Sequence, residues 1–261
     1  MQMVNDVKQF FSFWTELSPD HAFPTFGAAH MLLIAVCALS IAFALYQMRL
    51  CASSTREKII RGAAILECAL ELSHIVWLYA VGQTDIVKLL PLHLCAMQMF
   101  LLPIAAFTRR PILREFVFFT STIGGALAIL SPMGVADTYP LFHYQTLQTF
   151  ALHSLLIFVP LAMLLYQGLQ PKLKNFPKLI LIFVLLMLPA AAVDVIWGEN
   201  YMFLNTPPVN TPLETIYNAY GRGAYLIAFF LILCLICVLL YLPFELHRKL
   251  RAQRDQSTRA A

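Results

Sequence analysis

The chain has 261 residues, of which 60% are hydrophobic and 12% charged, with a formal net charge of +4. Soluble domains carry about a quarter charged residues, so this composition excludes an ordinary soluble enzyme, and the small positive balance gives no nucleic-acid footprint. Several apolar runs are long enough to cross a bilayer, and alternating short strands are absent from the pattern, so the expected class is an all-α polytopic membrane protein.

Residues 1–25 read as an interfacial segment. Val4, Val7, Phe10, Phe11, Trp14 and Leu17 fall on one helical face, which predicts an amphipathic helix over Val4–Leu17. The start lacks the basic n-region and apolar core of a signal peptide. Residues 26–243 read as one transmembrane domain of about seven spans, at roughly 28–47, 59–81, 91–107, 113–130, 146–166, 179–197 and 224–242. Pro91 is expected in the first turn of the third span, and Gly124 and Gly125 are expected to allow close helix contact in the fourth. Thr211-Pro212-Leu213-Glu214 matches a capping box and predicts a helix start ahead of the last span. Residues 244–261 read as a basic tail.

Lys and Arg are rich after spans one, three, five and seven and sparse on the other side. By the positive-inside rule the N-terminus lies outside and the C-terminus in the cytoplasm. This orientation collects polar groups toward the outer leaflet. His30, Glu71, His74, His93, Cys95, Gln98, His143, His153 and Asp194 fall in the outer parts of their spans, and one polar cavity is the expected outcome. Tyr139, Trp197 and Tyr201 are expected at the interface. Glu67 is the most cytoplasmic of its row, with Arg61 or water as its expected partner.

Cys95 is the candidate nucleophile. It lies at a helix start, among free N–H groups and the positive end of the dipole. His93 is two residues away and so points about 200° round the helix, which excludes a local dyad. A base for Cys95 must come from another helix, and His153 matches its depth, with His143 nearby as the alternative. Glu67, Glu71 and His74 share one face at i, i+4 and i+7. Cys234 and Cys237 read as packing residues.

LeuProLeuHisLeuCys at 90–95, the Glu-Leu…His of span two, His153, and AsnTyrMetPheLeuAsn at 200–205 together resemble the bacterial YwaF-type integral membrane proteins. That group is distantly similar to eukaryotic transmembrane protein 164, an acyltransferase with a membrane Cys nucleophile. The resemblance runs from about Pro24 to Leu242. It implies Cys95 as nucleophile, His153 as catalytic base, membrane phospholipids as partners, and a bacterial inner membrane as location. His93, Glu71, His74, Gln98, Asp194, Tyr201 and Asn205 are then cavity or orienting residues, with Asn200–Asn205 covering the cavity. No metal site and no cofactor is expected on this reading. Two rival classes remain: a lipid or small-molecule binding or transport protein, and a protein in which His74 and His153 hold a metal or non-covalent haem.

Overall fold

The computed structural model describes residues 9–209 and 211–260. Every long element is a helix, and no strand occurs among the described residues. The helices are α1 (Ala28–Met48), α2 (Ser53–Ala80), α3 (Leu94–Thr108), α4 (Pro111–Leu130), α5 (Tyr144–Tyr166), α6 (Phe176–Trp197) and α7 (Pro212–Ala260). Ala28–Met48, Pro111–Leu130, Tyr144–Tyr166, Leu173–Trp197 and Pro212–Ser257 are long and apolar enough to cross a membrane, whereas Leu94–Thr108 is apolar but shorter. α2 spans 28 residues and carries both Glu67 and Glu71 in its interior.

The chain divides after Gly168 into two compact units. In the first, α5 is the hub and packs against α1, α2, α3 and α4. Its closest partner is α4, and the reason lies in one glycine. A Cβ on Gly125 would stand 2.8 Å from the His153 carbonyl oxygen and 2.9 Å from Ile157 Cγ1, so only hydrogen fits. Phe23, Cys37, Ile129, Val135, Ala136 and Phe150 form an apolar core beside this contact. In the second unit, α7 is kinked at Gly221, whose φ of 79° and ψ of 178° interrupt the helix. The restart at Pro212 agrees with the capping-box expectation, and helix then continues through the basic tail.

Three elements differ from the sequence reading. Of the predicted helix Val4–Leu17, Val4 and Val7 lie outside the described residues. Residues 9–11 are helical, but the chain then changes to a short 3-10 turn at Trp14–Glu16. The carbonyls a continuing helix would use are taken elsewhere: Phe11 O accepts from Trp77 Nε1 at 2.8 Å and Ser12 O from His143 Nε2 at 3.0 Å. α3 begins at Leu94 rather than near Pro91, because Leu92 N–H turns back onto Leu90 O and His93 is extended. α5 begins at Tyr144, where the His143 side chain caps it by accepting Gln145 N–H at 3.1 Å.

Replacing Gly125 by Ala is expected to destabilise the protein by about 1–3 kcal/mol through overpacking. A lower midpoint in thermal unfolding checks this; an unchanged midpoint means the α4–α5 contact is looser than described.

Candidate active site

Cys95 is the second residue of α3 and is half-buried. His93 is the N-cap: it is exposed and its side chain makes no capping bond. The N–H groups of Leu94, Cys95 and Ala96 precede the first intrahelical bond, which Met97 N–H makes to His93 O at 2.9 Å. The thiol faces α4: a Cβ on Gly124 would lie 3.2 Å from Cys95 Sγ. Glu71 and, more weakly, Glu67 act on the thiol electrostatically.

His153 lies on α5, opposite the next residue of α4. Its Nδ1 is 2.7 Å from Thr149 O, and a carbonyl only accepts, so Nδ1 carries the proton and Nε2 keeps its lone pair. His74 lies within electrostatic range of His153 and stacks on Trp77 with ring centroids 5.9 Å apart. Cys95, Glu71, His74 and His153 all belong to the first unit, on α2, α3 and α5.

The other expected cavity residues divide. Gln98 is fully buried and its amide is occupied: Nε2 donates to Thr120 Oγ1 at 3.1 Å, and Oε1 accepts from Ser121 Oγ at 2.9 Å. It fixes α3 to α4. Asp194, Tyr201 and Asn205 belong to the second unit and bind one another. Asp194 Oδ1 accepts Tyr201 N–H at 2.7 Å, and Asn205 Nδ2 donates to Asp194 O at 3.2 Å. Residues 200–206 form a closed knot, in which Asn200 Oδ1 accepts the N–H groups of Asn205 and Thr206. Tyr201 and Tyr139 are buried, whereas Trp197 is exposed. Glu67 does not pair with Arg61, which bridges to Glu57 at 2.5 Å. Glu67 is fully buried, and neither of its carboxylate oxygens has a hydrogen-bond partner among the described residues.

Two histidines that the sequence grouped with the polar cluster are structural ties. His30 accepts Phe26 N–H at Nδ1 and donates from Nε2 to Ile129 O at 2.9 Å, joining α1 to the end of α4. His143 uses Nδ1 for Gln145 N–H and Nε2 for Ser12 O. With both nitrogens occupied, His143 is the poorer base, which separates it from His153.

Sequence reasoning missed Trp77, which falls on the Glu67–Glu71–His74 face at i+10. With His143 it straps residues 11 and 12 across the ends of α2 and α5, and Tyr139 adds a bond to the Trp14 backbone. Burial pushes the Tyr139 phenol up to about 12 and holds the His143 imidazole below its ordinary range, although the bond to Ser12 opposes the second shift.

The sequence model of the TMEM164 family matches residues 23–241. The chain belongs to that family. No curated protein and no solved structure gives a significant match. With its apolar helices, this TMEM164 family member is a multi-pass membrane protein. The family match contains Cys95, His153 and the Glu71–His74 row, and it starts after the strap residues.

His143 gives a pH prediction. Its folded-state pKa lies below that of the unfolded chain, so the unfolded state binds the proton more readily. The stability it contributes is full above about pH 6.5 and is lost as pH falls below that value. The unfolding midpoint is expected to drop as pH falls below about 6.5, and to drop less in His143→Gln. Equal drops in the two proteins would exclude this group as the cause.

Proposed function

We propose that the protein is an intramembrane acyl-transfer enzyme, a lipid acyltransferase or hydrolase, with Cys95 as nucleophile and His153 as base. The observation that carries this reading is the pairing at one step of α4. Cys95 Sγ lies against Gly124, and the backbone carbonyl of His153 lies against Gly125, so the nucleophile and the residue that carries the base meet α4 at neighbouring positions, the Nε2 lone pair of His153 being free of Thr149. An imidazole whose Nδ1–H is fixed by an acceptor is oriented for proton transfer at Nε2.

The chemistry balances as follows. His153 Nε2 takes the thiol proton while Cys95 Sγ attacks the carbonyl carbon of a lipid ester. The free N–H groups at the start of α3 receive the developing oxyanion. The ester C–O bond breaks, the leaving alkoxide takes the proton from His153, and a thioester remains on Cys95. An acceptor hydroxyl, or water, then gives its proton to His153 and attacks the thioester. The C–S bond breaks, and the thiolate recovers the proton. Glu71 and His74 orient groups beside this pair. Asp194, Tyr201 and Asn205 brace the loop after α6.

The chain crosses the membrane seven times in this reading, α2 and α3 joining the five longer apolar spans, with the N-terminus outside. The alternation of Lys and Arg between loops supports this, since Lys58, Arg61, Arg109 and Arg110 then share the cytoplasmic side with the C-terminal tail. The substrate ester enters from the outer leaflet of a cell membrane, a bacterial inner membrane by the YwaF-type resemblance.

Intact-protein mass spectrometry after incubation with a mixed phospholipid extract tests the proposal. The expected result is a hydroxylamine-sensitive acyl adduct that maps to Cys95 and is lost in Cys95→Ala. His153→Ala is expected to reduce turnover by about 10²–10⁴-fold. Undiminished turnover by Cys95→Ala overturns the reading.

A further inference from the structure

Gly124 and Gly125 are neighbours in the interior of α4, where glycine is the poorer helix former relative to alanine. Packing accounts for Gly125, which is buried and meets backbone and side chain of α5 within 3.2 Å. It does not account for Gly124. That residue is partly exposed, and outside its own helix a Cβ there would find one heavy atom within 4 Å, the sulfur of Cys95 at 3.2 Å. The missing methyl therefore leaves open the space beside the thiol and nothing else.

That space has a direction. Leu127, one turn further along α4, is 55% exposed. It is a large apolar side chain on the same side of α4 as Gly124, at i+3. A lane along that side would lead from Cys95 Sγ over Gly124 to the surface of the unit. A reacting carbonyl carbon must come to about 3–3.5 Å from the sulfur, and a methyl on residue 124 would occupy that shell.

We propose that Gly124 is a specificity-determining position, and that a single long acyl chain reaches Cys95 by lying along α4 over Gly124 and Leu127. This deepens the acyl-transfer reading and rests on it for the identity of the reacting group. The ligand class is the fatty acyl ester of a lipid, approached from its chain and not from its headgroup.

The test uses thiol-specific reagents, so it does not depend on turnover. The full-length protein in detergent micelles is treated with methyl methanethiosulfonate or hexadecyl methanethiosulfonate. Each transfers its alkylthio group to the thiol and releases methanesulfinate, and the disulfide is mapped to Cys95. Gly124→Ala is expected to lower the hexadecyl rate by about tenfold relative to the methyl rate, the kinetic effect of a modest overpacking. Leu127→Trp, at an exposed position where folding is insensitive to size, is expected to lower the same ratio while leaving the methyl rate unchanged. Gly125→Ala, which acts through packing, is expected to leave the ratio unchanged. A ratio that is the same in wild type, Gly124→Ala and Leu127→Trp overturns the proposal. The two readings fail separately: a changed ratio without any acyl adduct from phospholipid keeps the lane and removes the transfer reaction, and an adduct with an unchanged ratio does the reverse.

Discussion

A Cβ at position 125 would stand 2.8 Å from the His153 carbonyl, so α4 and α5 meet there nearly backbone to backbone. In an apolar medium, helix association has no hydrophobic driving force, and close packing of small residues takes its place. This approach fixes the height of His153 against α4. It also fixes the residue before Gly125, and through it the side of α4 that Cys95 touches. The candidate nucleophile and base come from helices separated by two loops, yet one dipeptide sets the position of both.

The polar residues around this contact fall into two groups with different chemistry. His30, Gln98 and His143 spend their donors and acceptors on named partners, as a buried polar group in low dielectric must. Each ties two elements: α1 to the end of α4, α3 to α4, and the first described residues to the start of α5. Among the described residues Glu67 has a whole carboxylate without such partners, and His153 makes its bond to Thr149 through Nδ1, which leaves the Nε2 lone pair out of that bond. Satisfied groups hold the scaffold rigid, and the unsatisfied ones are those with capacity for chemistry.

Much of this was legible in the chain. The long apolar runs place five of the seven helices to within about three residues, and the capping box marks the start of the last, because these signals are local. The one-face spacing of Glu67, Glu71 and His74 carries directly into the structure. The strap was not legible. Ser12 and His143 are 131 residues apart, and a backbone carbonyl leaves no trace in a side-chain pattern. Histidine as the N-cap of α5 also departs from the Ser, Thr, Asp and Asn that normally signal a helix start. Depth alone grouped His30 and His143 with His153, since depth does not reveal which ring nitrogens are already bonded. The same limit applied to Asp194, whose carboxylate is used by the Tyr201 N–H seven residues later.

Glu67 and Glu71 also bear on how the chain enters the bilayer. An acidic residue near the centre of a spanning helix costs about 2.5–3.5 kcal/mol on insertion scales, and in the proposed seven-span reading α2 carries two of them, one turn apart. Its partners are α3, which follows at once, and α5, which is synthesised some sixty residues after α2 ends. Emerging alone from the insertion machinery, α2 has no protein surface on which to turn its carboxylates away from lipid. Its stable lateral release must therefore wait for later helices, and the first unit assembles as a group and not span by span.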